Sequence, residues 1–147
     1  MGRYLITGSS GFVGCRLLKL LGASGYEIRL LSRKSNPNFE TVICDFEQEA
    51  ISLTALESVD TVFHLAGFTH DMRDASKVKR LYQKINVDAT VQLAELAVRS
   101  GVKRFVFVSS VKAGGSAVAG RCMTEEDQGE PEGIYGKTKR EAELKLL

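Results

Sequence analysis

Tyr135 and Lys139 stand four residues apart in Tyr135-Gly136-Lys137-Thr138-Lys139, so on a helix they share one face, a turn apart. A phenol in water titrates at about 10, and base duty at neutral pH needs a cation beside it to favour the phenolate. An ammonium one turn away supplies that cation, and the pair could pass a proton to or from a substrate hydroxyl. Alone, the spacing is common, and an ordinary surface helix also produces it. A second element gives it weight. The apolar run Arg104-Phe105-Val106-Phe107-Val108 ends in Ser109 and Ser110. The carboxyl ends of buried parallel strands are where open α/β sheets bind ligands, so a hydroxyl there can hold a substrate oxygen. One of the two serines is expected to bond to the following loop instead.

A third element is Thr7-Gly8-Ser9-Ser10-Gly11-Phe12-Val13-Gly14. The spacing is G-x-x-G-x-x-G, and each glycine has a distinct mechanical role. Gly8 permits a sharp turn off a strand, Gly11 lets backbone approach a pyrophosphate, and Gly14 lets a helix lie close on a sheet. The helix N-terminus then offers unpaired N–H groups and partial positive charge to phosphates. A Gly/Ser turn with no ligand is the plain alternative. The pattern here follows the first strand and opens an apolar helix, which is the context a dinucleotide site requires. The second strand ends Leu31-Ser32-Arg33-Lys34-Ser35. Ser32 stands where an acid would bind the adenosine ribose hydroxyls of NAD, and Arg33 could contact a 2′-phosphate with charge-assisted bonds. The spacing therefore favours NADP, with NAD as the alternative; otherwise Arg33 and Lys34 are solvated loop charges.

The elements that must position these residues follow from the hydrophobic pattern. Arg3–Thr7, Glu27–Ser32, Thr61–Leu65 and Arg104–Ser109 read as strands apolar on both faces, with Thr41–Cys44 as a fifth. Phe12, Leu17, Leu18 and Leu21 fit a helix with stop signals at Gly22 and Gly25, and Leu81, Ile85, Val91, Leu93, Leu96 and Ala97 fit a longer one ended by Gly101. Strands alternating with helices predict a doubly wound parallel α/β sheet of Rossmann type, covered on both sides, over residues 1–147. Val111–Gly133 holds five Gly and an acidic cluster and reads as a long loop. Tyr135–Leu147 reads as the opening of a helix.

Composition narrows the class. At 147 residues and 44% apolar the chain is one ordinary domain with a sizeable core. Lys plus Arg number 20 against 18 Asp plus Glu, a net charge of +2 that gives no electrostatic case for nucleic acid or an anionic membrane. No apolar run is long enough for a bilayer or a secretion signal. Three scattered cysteines with no C-x-x-C pair predict neither disulfide nor metal site, and the cytoplasm is the expected compartment.

Taken in order, these elements resemble the short-chain dehydrogenase/reductase superfamily, its extended branch in particular. Thr7–Gly14 is similar to the T-G-x-x-G-[FY]-[IV]-G turn and Val62-Phe63-His64-Leu65-Ala66-Gly67 to the fourth-strand H-[LF]-A-[AG] segment. Ile85-Asn86-Val87-Asp88-Ala89-Thr90 is similar to N-V-x-[GA]-T, and Tyr135–Lys139 to Y-G-x-[ST]-K. The resemblance covers the whole chain. It implies Ser110 as the catalytic hydroxyl, Tyr135 as general acid/base and Lys139 as its partner. It implies cofactor contacts from Gly8, Ser10, Gly11, Phe12, Val13, Gly14, Ser32, Arg33, Lys34, Leu65, Ala66, Gly67, Asn86, Tyr135 and Lys139, the last of which could hold the nicotinamide ribose hydroxyls. Asp45 with Phe46 would meet the adenine, and Asn86 would sit behind the nicotinamide end, ordering the fourth-strand region. His64 is expected to be a packed strand-end histidine and not a catalyst.

Extended members mostly act on nucleotide-linked sugars. Val111-Lys112 replaces the Asp-Glu pair of the dehydratases it resembles, which argues against dehydration and leaves a 4-epimerase or a 4-keto reductase. A non-catalytic dinucleotide-binding or redox-sensing module is a competing reading, as is a reductase of another small ketone. Extended members run to about 300 residues or more, beyond one domain, whereas here eight residues follow Lys139. The resemblance thus implies an incomplete domain, cut after the fifth strand and following helix, that alone turns over little or no substrate. It also implies a homodimer through the helices around 81–100 and 135–147.

Overall fold

Segments rich in Ile, Leu, Val and Phe form five strands: β1 (Arg3–Thr7), β2 (Glu27–Ser32), β3 (Glu40–Ile43), β4 (Thr61–His64) and β5 (Arg104–Phe107). The computed structural model describes residues 2–69, 75–116 and 119–147. These fall into two compact units, residues 1–67 with 92–108 and residues 68–91 with 109–147. The first unit holds one parallel sheet in the order β3-β2-β1-β4-β5. The chain runs outward from β1 to β3 and then returns to lay β4 on the other side of β1. That reversal opens a crevice at the carboxyl ends of β1 and β4, the position where such sheets bind ligands.

Successive residues of each strand face opposite sides, and both sides are filled. On one side Leu5, Leu31 and Val62 pack with Ala55, Leu56, Leu93 and Ala97. On the other Ile6, Ile28 and Leu30 pack against Leu18 and Leu21 of α1 (Phe12–Ala23). Leu93 and Ala97 belong to α3 (Ala89–Arg99), which continues without a break from α2 (Ala75–Tyr82) through a π-helical turn at Gln83–Asp88. The doubly wound parallel sheet expected from the sequence is the fold observed.

Several boundaries differ from expectation. Gly22 does not stop α1; it lies inside the helix, where a Cβ would stand 3.3 Å from the Phe39 ring, and the turn falls at Gly25. β3 starts and ends one residue earlier than expected, and β4 stops at His64. β5 ends at Phe107, two residues short, because its partner β4 gives its last ladder carbonyl, that of His64, to the Val108 N–H. Ser109 and Ser110 therefore lie beyond the ladder. Within the long loop, Val111–Ala113 forms a short 3₁₀ turn.

Arg29 in β2 illustrates what the strand pattern hides. Its guanidinium is only 6% exposed. It donates to Glu40 Oε1 and to the carbonyls of Thr54, Ala55 and Glu57, closing the C-terminal end of the 3₁₀ turn Leu53–Leu56. A buried cation is tolerated because every direction meets an acceptor.

The second unit is built on α4 (Gly133–Leu146), the π turn and the 3₁₀ turn. Gln83 donates to Glu141 at 3.0 Å and Asn86 to Thr138 at 3.1 Å. No helix among the described residues is long and apolar enough to cross a membrane.

Candidate functional site

In the first unit the glycine turn has the geometry its spacing requires. Gly8 sits at φ +68, and a Cβ on it would meet the Ala66 nitrogen at 2.6 Å. Only glycine relieves both the conformation and the contact. A Cβ on Gly14 would stand 2.1 Å from the Gly8 carbonyl oxygen, so α1 lies directly on the turn. Gly11 is the N-cap of α1 and brings no side-chain cap, and no acid stands in the first turn. The helix start therefore keeps unclaimed N–H donors and an unopposed positive end, which suit a phosphate.

The same unit fixes the end of β4. The Thr7 hydroxyl accepts the Ala66 N–H at 3.0 Å and lies 2.7 Å from His64 Nδ1. His64 is fully buried, stacked on Phe107 with ring centroids 5.9 Å apart, in keeping with a packed histidine. Leu65 packs against the α1-side core. Beside α1 a cleft of about 750 Å³ is lined by Ser9, Ser10, Ser32, Arg33 and Lys34 among others. Phe12 and Val13 are 76% and 55% exposed on the first turn of α1. Asp45 folds into a local turn, its carboxylate accepting the Glu47 N–H at 3.0 Å, while Phe46 points into the core beside His64.

The acid/base candidates belong to the second unit. The start of α4 is locked onto the turn that follows the serines. The Glu132 N–H donates to the Lys112 carbonyl at 2.9 Å, and a Cβ on Gly136 would stand 2.3 Å from that same oxygen. This contact, one residue from Tyr135, brings the phenol's helix against the segment carrying Ser110 and explains why glycine follows the tyrosine. The Ser110 hydroxyl caps the 3₁₀ turn by accepting the Lys112 N–H at 3.2 Å. Its own proton is left to donate. Of the two serines, Ser110 makes the expected loop bond; the Ser109 hydroxyl oxygen is buried without a hydrogen-bond partner.

Asn86, 1% exposed, spends its whole amide on the protein. Its Oδ1 accepts the Phe68 N–H at 2.7 Å, and its Nδ2 donates to the Phe68 carbonyl and to Thr138 Oγ1. Thr138 in turn donates to the carbonyls of Ile134 and Tyr135. Asn86 thus acts as a clasp between the segment after β4 and the helix of Tyr135. Tyr82 adds to it, packing against Tyr135 with centroids 6.4 Å apart and donating to the Thr69 carbonyl. Thr138, Tyr82 and the π turn were not singled out from the sequence; a π turn leaves no simple pattern, since it only shifts helical phase by one residue.

Lys139 is 3% exposed, and burial pushes its ammonium down to about 8, with Glu143 one turn on drawing it back up. Between about pH 8 and the ordinary lysine value the unfolded chain binds a proton that the folded chain does not, so this group makes stability rise with pH there. Each unit is worth about 1.4 kcal/mol, which gives about 3 kcal/mol in all. Urea unfolding from pH 7.5 to 10.5 is expected to show that rise in the natural protein and a flatter profile in Lys139→Met; parallel profiles would contradict it.

A parallel sheet with a strand-order reversal, a glycine turn at that reversal and an uncapped helix start beside it defines an α/β domain of the Rossmann type. The chain belongs to the NAD dependent epimerase/dehydratase family, whose model matches residues 4–146. It is 36% identical over 151 residues to a UDP-glucose 4-epimerase of Vibrio cholerae, covering 97% of this chain and 45% of that protein. It is 33% identical to a 3 beta-hydroxysteroid dehydrogenase/Delta 5→4-isomerase of Mycobacterium tuberculosis, covering 100% of this chain and 42% of that one. Among solved structures, MoeE5 in complex with UDP-glucose and NAD superposes with a TM-score of 0.84 at 33% identity, over 99% of this chain and 48% of that one. The chain therefore spans less than half the length of each of these relatives.

Proposed function

We propose that the protein is an NAD(P)-dependent oxidoreductase or epimerase acting at C4 of a nucleotide-linked sugar, with Tyr135 as acid/base. The observation that carries this is the α4 cluster: Tyr135 on the helix face of a buried, easily titrated Lys139, locked by Gly136 onto the turn headed by Ser110. A module that only senses a dinucleotide needs none of these. The UDP-glucose 4-epimerase likeness and the UDP-glucose in MoeE5 support the substrate class.

The dinucleotide fits this chain's residues. The pyrophosphate would rest on the N-terminus of α1 at Gly11, in the space that side chains at Gly8 and Gly14 would destroy, and its nicotinamide supplies reversible two-electron chemistry when bound. Arg33, with Ser32 in place of an acid, favours NADP; the NAD held by MoeE5 supports the other form. Lys139 stands one turn along α4 from Tyr135 and supplies a cation on that face of the helix. Tyr135 takes the proton of the substrate hydroxyl or returns it. Ser110, its oxygen polarised by the Lys112 N–H, donates to the substrate oxygen and holds it in line. Exposed Leu144 on α4 is an apolar side chain suited to a homodimer contact through that helix.

The steroid dehydrogenase likeness supports a second reading, reduction or oxidation of another small ketone or alcohol. The full-length protein, given UDP-glucose, UDP-galactose or a 3β-hydroxysteroid with either nicotinamide cofactor, separates the two. The sugar reading expects a C4 epimer or reduced-cofactor absorbance with the UDP-sugars alone, and turnover of the steroid alone would overturn it.

A further inference from the structure

We infer that Lys19 on α1 is a specificity-determining residue of the dinucleotide cleft, receiving a 2′-phosphate on the adenosine ribose from the wall opposite Arg33 and Lys34. The inference rests on the dinucleotide reading above and adds to it a residue that the strand-end pattern did not single out. Cys15, Leu18, Lys19 and Gly22 line the cleft at the spacing of a single helix face, and Ser32 through Asn36 line it from the β2 side. Lys19, Arg33 and Lys34 thus border one cleft from two walls. No carboxylate lines it among the described residues.

Elsewhere in this unit Arg3, Arg29 and Lys103 pair with Glu27, Glu40 and Asp60, while Arg16 lies over the Phe12 ring and, among the described residues, Arg99 and Arg104 form no ion pair. Among the described residues, none of the three cleft cations has such a pair. Like charges gathered round one cleft repel, and an anion between them reverses the sign of that energy. That anion is not the pyrophosphate. The helix start serves the pyrophosphate, and Lys19 lies two turns further along α1, about 10 Å by helical rise. A second anionic group on the same ligand is needed, on the adenosine side where β2 ends. A 2′-phosphate is that group, and the hydroxyls of Ser32 and Ser35 supply neutral donors around it.

The test uses adenosine 2′,5′-bisphosphate and adenosine 5′-monophosphate as probes, titrated calorimetrically into the protein and into Lys19→Met, Lys19→Arg and Arg33→Ala. The natural protein is expected to bind the bisphosphate about tenfold more tightly, the size of one charge-assisted bond. Lys19→Met is expected to remove most of that preference while changing monophosphate binding less than about twofold, and Lys19→Arg to keep it. If Lys19→Met keeps the preference while Arg33→Ala loses it, the role of Lys19 is refuted and the NADP reading stands. Equal weakening of both probes by Lys19→Met also refutes it, as a mere surface-charge effect. No preference in the natural protein would remove the NADP reading and this inference together, leaving the pyrophosphate cradle untouched.

Discussion

Tyr135→Phe is expected to lower kcat by about a thousandfold, the usual scale for removing a general acid/base. The loss is specific because the ring stays. Tyr135 packs against Tyr82, and that contact needs the aromatic face and not the hydroxyl. Among the described residues the phenol makes no bond that holds α4 in place; that work falls to Gly136 on the Lys112 carbonyl and to the Asn86–Thr138 clasp. Dinucleotide affinity is therefore expected to stay within about twofold, since free energies below 0.5 kcal/mol are all that a surface-like change should cost. Steady-state kinetics on UDP-sugar, paired with a dinucleotide titration of the full-length protein, measures both. Retained turnover would remove Tyr135 from the chemistry, whereas no turnover in the natural full-length protein would return it to the non-catalytic dinucleotide-binding class.

The second large effect is expected at Gly14→Ala. One methyl group there would stand 2.1 Å from the Gly8 carbonyl oxygen and 2.9 Å from the Ser9 Cα. Both neighbours are backbone, and no rotamer change can clear them. Either α1 lifts from the turn or the turn leaves the end of β4, where Gly8 abuts Ala66. Overpacking of this kind costs about 1–3 kcal/mol or more. The displaced helix start would also misalign the donors proposed for a pyrophosphate, so dinucleotide affinity is expected to fall about a hundredfold. A urea midpoint and a dinucleotide titration read the two effects separately. Unchanged values in both would show that α1 and the turn can part without cost, contrary to their contact.

Much of this was legible in the chain order of residue types. Gly8, Gly11 and Gly14 announce a strand-to-helix turn because few other residues survive where backbone meets backbone, and the structure shows those contacts at Gly8 and Gly14. Runs such as Leu5-Ile6 and Leu30-Leu31 announce buried parallel strands because both sheet faces are covered. The pair Tyr135 and Lys139 was visible because helical period places them on one face. The burial of Lys139 was not, since surface and interior helices share that spacing. Arg29 lies inside the run Glu27–Ser32 that reads as a strand, and its role appears only when three carbonyls of residues 54–57 gather around it.

Sequence by itself determined the class of fold, the glycine turn and the spacing of Tyr135 and Lys139, because these depend on local sterics and periodicity. Tertiary structure alone decided which serine hydroxyl is committed to a turn and which is not, that Asn86 is a clasp, and that Lys19 joins Arg33 and Lys34 around one cleft. Each of those depends on which backbone or side chain arrives from a distant part of the chain. Burial, ion pairing and spare hydrogen-bond capacity are set by such arrivals, and no local pattern encodes them.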